Sequence, residues 1–528
     1  MAETTGGIVK AEGLGDGLVP VRWSHRQAAL DDATRHTQGG KALEAGTFEA
    51  GMDRRRFLGY AGAVLAGAGL SGRALRALAG TDGGAKPNFV IIFCDDMGYG
   101  DVGCFGSKIN RTPSIDRMAA EGTRFTSFYV ASGVCSPSRS SLMTGCYPRR
   151  VNMDVDATGL CVLFPVSPKG LNPSEITIAE ILREQGYATA CIGKWHLGDQ
   201  PEFLPTRQGF DSFYGLPYPN DMGGKPGTNR PPLPLMRDEE VIEAPADQDT
   251  LTRRYTEEAV KFIRANKDRP FFLYLPHTMP HMPLHVSDAF RGKSANGLYG
   301  DAIEEIDWSV GRVLETLKDL GLDERTLVIF TSDNGATGGE GRSNRPLRGQ
   351  KGSTWEGGMR EPCVMRWSGR IPPGAVCDEL ACTMDLLPTF AYLAGTKPPA
   401  DRIIDGQDIR PLLVGRKEGW TPREAFYYYQ MDQLQAVRSG QWKLHLPMKL
   451  KKRNWAEPEP DSPLRLYDLQ ADIGEQRNVA DRHPDIVERL TALAEKARED
   501  LGDVDRPGKN QRPAGLAPHP SPRVLSPK

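Results

Sequence analysis

Phe89-Val90-Ile91-Ile92-Phe93-Cys94-Asp95-Asp96 is the stretch on which the fold turns. Its apolar part is unbroken, and it ends in two adjacent carboxylates. A strand with one wet face alternates apolar and polar side chains, whereas an unbroken apolar run marks a strand covered on both faces, as in a parallel sheet between helix layers. Helix and strand patterns alternate outward from it. Residues 174–185 read as a helix, with Ser174 as cap, Ile178, Ile181 and Leu182 on one face, and Gly186 as stop. Strands are expected over 187–192 and 271–275. Residues 301–320 carry Ile303, Ile306, Val310, Val313, Leu314 and Leu317 on one stripe before Gly321, and a strand over 327–331 follows. The expected architecture is α/β, a mainly parallel sheet flanked by helices.

The pattern changes after about residue 416. Short strand candidates at 435–438, 442–446 and 464–469 are separated by turns such as Ser439-Gly440, and a helix over about 484–501 gathers Ile486, Leu490 and Leu493. The expectation is a catalytic domain over 81–416 and a small C-terminal α+β domain with an antiparallel sheet over 417–505. The Pro-rich, basic segment 506–528 is expected to be a disordered tail.

Residues 1–51 are polar, Gly-rich and aperiodic, and read as a disordered prefix, with Met52 as an alternative start. Residues 52–80 read as an export signal: Arg54-Arg55-Arg56, Phe57-Leu58, an apolar run to about Leu70, then Ala77-Leu78-Ala79. Its about 13 apolar residues fall short of the ~20 that span a bilayer. Arg54-Arg55 resembles the twin-arginine type, which implies the Tat export machinery as a partner and a periplasmic or secreted location in a bacterium. The net charge of −2 provides no global basic field, so no nucleic-acid partner is expected. Nine irregularly spaced cysteines do not form a disulfide framework or a zinc pattern.

Polar residues gather where the strands end. The first strand runs into Asp95-Asp96, the next into Gly193-Lys194-Trp195-His196, the third into Pro276-His277 with His281 close behind, and the fourth through Ser332 into Asp333-Asn334-Gly335. In an open parallel sheet these ends share one edge, where ligand crevices form. Asp95, Asp96, Asp333 and Asn334 offer oxygen only, which suits Ca²⁺ or Mg²⁺ rather than zinc, and crowded carboxylates call for a cation to neutralise them.

Cys135-Ser136-Pro137-Ser138-Arg139-Ser140-Ser141-Leu142-Met143-Thr144-Gly145 is the remaining piece. A soft thiolate is a poor companion for a hard cation, and a cysteine nucleophile ordinarily works with a histidine and no metal. Oxidation of the side chain to an aldehyde removes the conflict, because the hydrate offers oxygen to both metal and substrate. Cys135, Pro137, Ser138, Arg139, Leu142, Thr144 and Gly145 together resemble the signature of the type I formylglycine-dependent sulfatases. Asp95-Asp96, Gly193 to Gly198, Pro280-His281-Met282-Pro283, Asp333-Asn334-Gly335 and Gly349-Gln350-Lys351-Gly352 extend the likeness over nearly the whole mature chain. Gln208-Gly209-Phe210 and Gly215-Leu216-Pro217-Tyr218 are similar to the arylsulfatase A and N-acetylgalactosamine-6-sulfatase branch.

The resemblance implies an alkaline-phosphatase-like core and hydrolysis of a sulfate monoester, with a sulfated saccharide as the expected substrate. It implies that a formylglycine-generating enzyme modifies Cys135, whose hydrate attacks sulfur with one hydroxyl and expels sulfate with the other. By the same resemblance the metal ligands are Asp95, Asp96, Asp333, Asn334 and modified Cys135, around one Ca²⁺ or Mg²⁺ per active site. Lys194 and Lys351 match sulfate-binding positions, His281 the general acid, and Arg139 and His196 the groups that hold the diol. His277 is the competing acid; His285 and His445 read as ordinary surface or core histidines, Asp385 as a helix cap, and the 442–445 strand as packing. One position departs from the branch: Pro219-Asn220-Asp221 stands where relatives carry Ser-His-Asp, so the serine's contact that supports the histidine and the pocket is expected to be lost. Two other readings stay open, a phosphatase or phosphodiesterase on the same fold and a non-catalytic binder of sulfated glycans.

Overall fold

The computed structural model describes residues 85–224, 230–416, 420–448, 462–504 and 506–526, all within one contact unit. The expected prefix 1–51 and export signal 52–80 lie outside the described residues. No helix among the described residues is long and apolar enough to cross a membrane.

In chain order the strands are β1 (Asn88–Cys94), β2 (Thr123–Tyr129), β3 (Lys169–Gly170), β4 (Ala188–Lys194), β5 (Ser212–Leu216), β6 (Leu235–Arg237), β7 (Glu240–Glu243), β8 (Phe271–Pro276), β9 (Thr326–Ser332), β10 (Arg360–Arg366), β11 (Ala375–Cys377) and β12 (Ala381–Cys382). A separate set comprises β13 (Phe426–Gln430), β14 (Gln433–Ser439), β15 (Trp442–His445) and β16 (Arg465–Asp468). The helices used below are α1 (Pro113–Glu121), α2 (Cys135–Thr144), α3 (Ile178–Glu184), α4 (Leu251–Ala265), α5 (Gly297–Asp319), α6 (Glu356–Met359), α7 (Leu386–Leu393), α8 (Arg410–Leu413) and α9 (Pro484–Asp500).

The main sheet runs in the order β11-β2-β10-β9-β1-β8-β4-β5-β6-β7, with β12 also on β2. Its centre, β9-β1-β8-β4-β5, is parallel throughout. The β1 run shows why. Phe89, Ile91 and Phe93 join one buried cluster, under α2, α3 and α7, while Val90, Ile92 and Cys94 join the other, under α1, α4 and α5. Successive side chains point to opposite faces, so only a strand apolar at every position can sit between two helix layers. Strand β9 repeats this, with Leu327 and Ile329 on one side and Val328 and Phe330 on the other. Each such side chain contributes about 1.5–3 kcal/mol by leaving water.

Parallel pairing sends the ends of β1, β4, β5, β8 and β9 to one edge. Strand β10 is antiparallel to both β9 and β2, so its start and the end of β2 reach that edge too. The segment 349–359 before β10 and the segment 130–135 after β2 are thereby delivered to the same place. The second sheet, β13-β14-β15-β16, is antiparallel. Its apolar face packs with α9 and with Tyr129, Val130 and Ala131 at the end of β2.

Two expectations need correction, and a third is sharpened. The helix expected from residue 174 begins at Ile178: Thr177 Oγ1 accepts the Glu180 N–H at 3.1 Å while Glu180 Oε2 accepts the Thr177 N–H at 2.8 Å. This reciprocal box caps the helix, and Ser174 N–H bonds to Asn172 Oδ1 in the turn before it. Asp385 does cap, but one turn earlier: its carboxylate accepts the Cys382 N–H at the start of the 3-10 turn Thr383–Asp385 that leads into α7, and it also accepts from Gln407 N and pairs with Arg423. The segment from residue 506, expected to be disordered, is ordered through residue 526. Gly515–Leu516 pairs with β3, Arg512 forms a two-pronged ion pair with buried Glu175, and Ser521 exchanges two hydrogen bonds with Gln200.

Candidate active site

Asp95 and Asp96 follow β1 directly. Asp95 Oδ2 accepts from Lys194 Nζ at 2.5 Å and lies 3.7 Å from Arg139 Nη2. Burial would lift the Asp95 carboxyl, but Lys194, His281 and Arg139 more than offset it and hold it well below the usual range. Asp96 has φ 66°, in the left-handed region that non-glycine residues seldom occupy. Its carboxylate takes Lys351 Nζ at 2.6 and 2.8 Å and Asn334 Nδ2 at 2.7 Å. Asp333 Oδ2 accepts from Arg139 Nε at 3.1 Å and Nη2 at 2.7 Å, and Asp333 Oδ1 accepts the Asp96 N–H at 3.1 Å. Burial and the Asp95 charge push the Asp333 carboxyl up to about 7.

Cys135 is the first residue of α2, a helix buried along its whole length. Its Sγ is 3.7 Å from Asp95 Oδ1, and ligand atoms of Asp95, Asp96, Cys135 and His281 all lie within 4.8 Å of one another. Burial, with Asp95 and Asp333 adding to it against Lys194 and Lys351, pushes the thiol up to about 12. An unmodified Cys135 is therefore a neutral thiol at physiological pH, and a thiol is a weak nucleophile. The N-terminus of α2 adds partial positive charge at the same spot, favourable to an anion.

Arg139 is fully buried, and its Nη1 donates to Lys194 O at 2.8 Å, so one guanidinium ties α2 to the ends of β4 and β9. His196, also at positive φ (62°), uses Nε2 to donate to Leu163 O at 2.9 Å. That leaves Nδ1 as an acceptor with no partner among the described residues. Burial and the cations Lys194 and Arg139 hold this imidazole neutral. His281 Nε2 lies 3.8 Å from Asp96 Oδ2, and His281 Nδ1 is 3.1 Å from Asn220 Oδ1 and 2.6 Å from Met282 O.

The candidates thus converge, and the lesser histidines fall away. His277 is fully buried against Ser309, His285 pairs with Asp249, and His445 bonds to Glu475 inside the second sheet. Lys443 in β15 is likewise core, held by Glu356 and Glu475. Two residues escaped sequence reasoning. Asn220 supports His281 from beside Pro219, so the departure from the branch pattern does not leave the histidine unsupported. Glu361 is a buried carboxyl with no partner on either oxygen among the described residues; burial, then Asp333, Asp96 and Asp101, push it far up into its neutral form. Nothing in the sequence around it, Arg360-Glu361-Pro362-Cys363 at the start of β10, betrays its burial.

The donor set fits a hard divalent cation. Asn334 Oδ1 is the decisive atom: it is buried and without a hydrogen-bond partner among the described residues, while its own Nδ2 is fixed on Asp96. An oxygen left bare beside carboxylates of Asp95, Asp96 and Asp333 is what an oxygen-seeking ion takes.

A family profile described as Sulfatase matches residues 87–396, and one described as N-sulphoglucosamine sulphohydrolase, C-terminal, matches 350–500. N-acetylgalactosamine-6-sulfatase of Canis lupus familiaris is 42% identical over 378 residues, 68% of this chain and 71% of that protein. Arylsulfatase A of Homo sapiens is 39% identical over 448 residues, 77% of this chain and 87% of that one. The crystal structure of Ps i-CgsB in complex with k-i-k-neocarrahexaose aligns with a TM-score of 0.67 at 31% identity, covering 78% of this chain and 92% of that chain.

Proposed function

The chain belongs to the sulfatase family, on the branch of N-acetylgalactosamine-6-sulfatase and arylsulfatase A, and is a sulfuric ester hydrolase; from there we propose that its nucleophile is a formylglycine made from Cys135. Its fold is the alkaline-phosphatase-like one. The observation that carries the proposal is the setting of Cys135: a thiol pushed up to about 12, within reach of carboxylates suited to a hard cation and of two lysines. That setting disfavours a thiolate and favours oxygen. The hydrated aldehyde supplies two hydroxyls on one carbon, one to attack sulfur and one to expel sulfate.

A divalent cation, Ca²⁺ or Mg²⁺, held by Asp95, Asp96, Asp333, Asn334 and modified Cys135, supplies positive charge against the attacking oxygen. The chain's own residues do the rest. Lys194 and Lys351 present ammonium groups to the sulfate oxygens, where charge develops as sulfur is transferred. Arg139 holds Asp333 and the end of β4 in register with α2. His281 donates from Nε2 to the leaving alcohol, and His196 accepts a proton at Nδ1 when sulfate is released.

The substrate class we propose is a sulfated saccharide. One relative is named N-acetylgalactosamine-6-sulfatase, and a structural relative is described in complex with k-i-k-neocarrahexaose. The Arg54-Arg55 signal supports export through the Tat machinery to the periplasm or beyond, and modification of Cys135 requires a formylglycine-generating enzyme as partner.

In protein made in a host with that enzyme, mass spectrometry of the tryptic peptide 125–139 is expected to find formylglycine in place of Cys135. An active preparation carrying only cysteine refutes the proposal. Turnover of an aryl sulfate is expected to exceed that of the matching aryl phosphate. Chelator-treated protein should gain about 2.7 kcal/mol of stability when Ca²⁺ or Mg²⁺ is restored to 100 times its Kd, as any ligand of the folded state does. Asp96→Asn should erase most of this gain in a thermal-shift titration. A shift unchanged in Asp96→Asn places the cation elsewhere.

A further inference from the structure

We propose that Asn220 is the positioning residue for His281, its amide oxygen fixing the imidazole tautomer and ring plane so that Nε2 is the nitrogen that meets the leaving group. The proposal rests on the reading of His281 as general acid.

Asn220 opens the short 3-10 turn Asn220–Met222 that follows β5, and its side chain is buried. The amide has four hydrogen-bonding capacities, and its neighbours dictate which end faces where. Nδ2 donates to Pro283 O at 3.0 Å and to Gln248 Oε1 at 3.1 Å. A backbone carbonyl can only accept, so turning the amide over would set oxygen against Pro283 O. The unturned amide leaves Oδ1 3.1 Å from His281 Nδ1. Met282 O, 2.6 Å from the same nitrogen, is also an acceptor and nothing else. Two acceptors converging on Nδ1 require that Nδ1 carry hydrogen.

The consequence for chemistry is direct. With Nδ1–H fixed, any proton that His281 gives up must come from Nε2, the nitrogen on the Asp96 side of the ring. Loss of that proton yields the neutral Nδ1–H tautomer, so the bonds at Nδ1 persist through the cycle and the ring need not turn. Pro219 contributes by its fixed φ of −58°, which sets the entry to the turn on which Asn220 sits.

General acid catalysis matters most where the departing alkoxide is basic, and this separates positioning of an acid from mere structural support. The test measures kcat and KM on aryl sulfates from 4-nitrophenyl sulfate to phenyl sulfate for the wild type and for His281→Ala, Asn220→Leu, Asn220→Ser and Asn220→Asp, each checked for its unfolding midpoint. His281→Ala is expected to steepen the dependence on the leaving group. Asn220→Leu and the smaller Asn220→Ser should steepen it in the same sense, with kcat for phenyl sulfate down about 10- to 100-fold and kcat for 4-nitrophenyl sulfate within about threefold of wild type. Asn220→Asp keeps an acceptor for Nδ1 but sets its second oxygen against Pro283 O, so it should retain the wild-type slope at a lowered unfolding midpoint. An equal fall across the series, or an effect confined to KM, in both Asn220→Leu and Asn220→Ser overturns the proposal even if His281→Ala behaves as expected. If His281→Ala itself leaves the slope unchanged, the reading of His281 as the acid fails, and the role of Asn220 fails with it.

Discussion

Cys135→Ala is expected to lower turnover of sulfate esters by about 10⁴-fold or more, the scale on which enzymes respond to loss of the nucleophile, while leaving the unfolding transition nearly where it was. Alanine preserves α2, since it is the best helix former and Cys135 contributes no hydrogen bond stronger than a 3.7 Å contact to Asp95. What disappears is the only carbon at the site able to carry two hydroxyls. Protein from a host without the modifying enzyme should behave almost as badly, because burial and nearby carboxylates push the native thiol up to about 12 and leave next to no thiolate at neutral pH. Cys135→Ser discriminates further. A serine hydroxyl can take the sulfuryl group, but no second hydroxyl on the same carbon remains to expel it, so the expected outcome is one turnover per site and a sulfated 125–139 peptide. A Cys135→Ala enzyme that keeps more than about one hundredth of wild-type turnover, far above the loss expected for a missing nucleophile, would sink the assignment.

Much of this was legible because the decisive signals are local. The 89–94 run announces a strand buried on two faces, and both faces are indeed filled, by separate clusters. Parallel pairing then does the long-range work: once the central strands point one way, Asp95, Lys194, His281 and Asp333 must share an edge although they are scattered along the chain. The cap of α3 was equally available, since Thr177-Ile178-Ala179-Glu180 is a capping-box pattern. Other features depend on partners distant in sequence and cannot be read from composition. Asn220 meets His281 across 61 positions, and only the folded turn after β5 aims its amide. The segment from residue 506 looks disordered by its Pro and basic content, yet Arg512 finds Glu175 across 337 positions and Gly515–Leu516 finds a strand partner in β3. A chain poor in apolar side chains can be ordered when ion pairs and backbone bonds are offered by a surface already folded.

Lys443→Met is expected to cost about 3–5 kcal/mol of stability, the range for stranding a buried charge. Lys443 sits fully buried in β15 and donates to Glu356 Oε1 at 2.9 Å and Thr354 O at 2.8 Å, with Glu475 Oε1 also at 2.9 Å. Methionine fills a similar volume but leaves two carboxylates to share fewer cations. Glu356 retains Arg360, while Glu475 keeps only a hydrogen bond from the His445 ring, which burial holds toward its neutral form. Adding Glu475→Gln should recover part of the loss by removing the carboxylate left without a cation. The pH dependence has a definite sign. Burial alone would raise the Glu356 carboxyl, but Lys443 and then Arg360 more than offset it and hold it well below the usual range. A depressed acid contributes stability that is complete above its unfolded pKa of about 4.3 and is lost as pH falls through the lower folded value. Acid unfolding of the wild type should therefore begin only below that range, and Lys443→Met should move its onset to higher pH. Activity ought to follow stability here, because the same clamp holds the segment that carries Lys351: Thr354 O is bound by Lys443, Thr354 Oγ1 donates to Gln435 in β14, and Gly352 N–H donates to Gly133 O at 2.7 Å. Denaturation curves of Lys443→Met within about 1 kcal/mol of wild type, the level of an exposed pair, would mean that the apolar face of the second sheet, and not its buried ion cluster, fastens it to the catalytic edge.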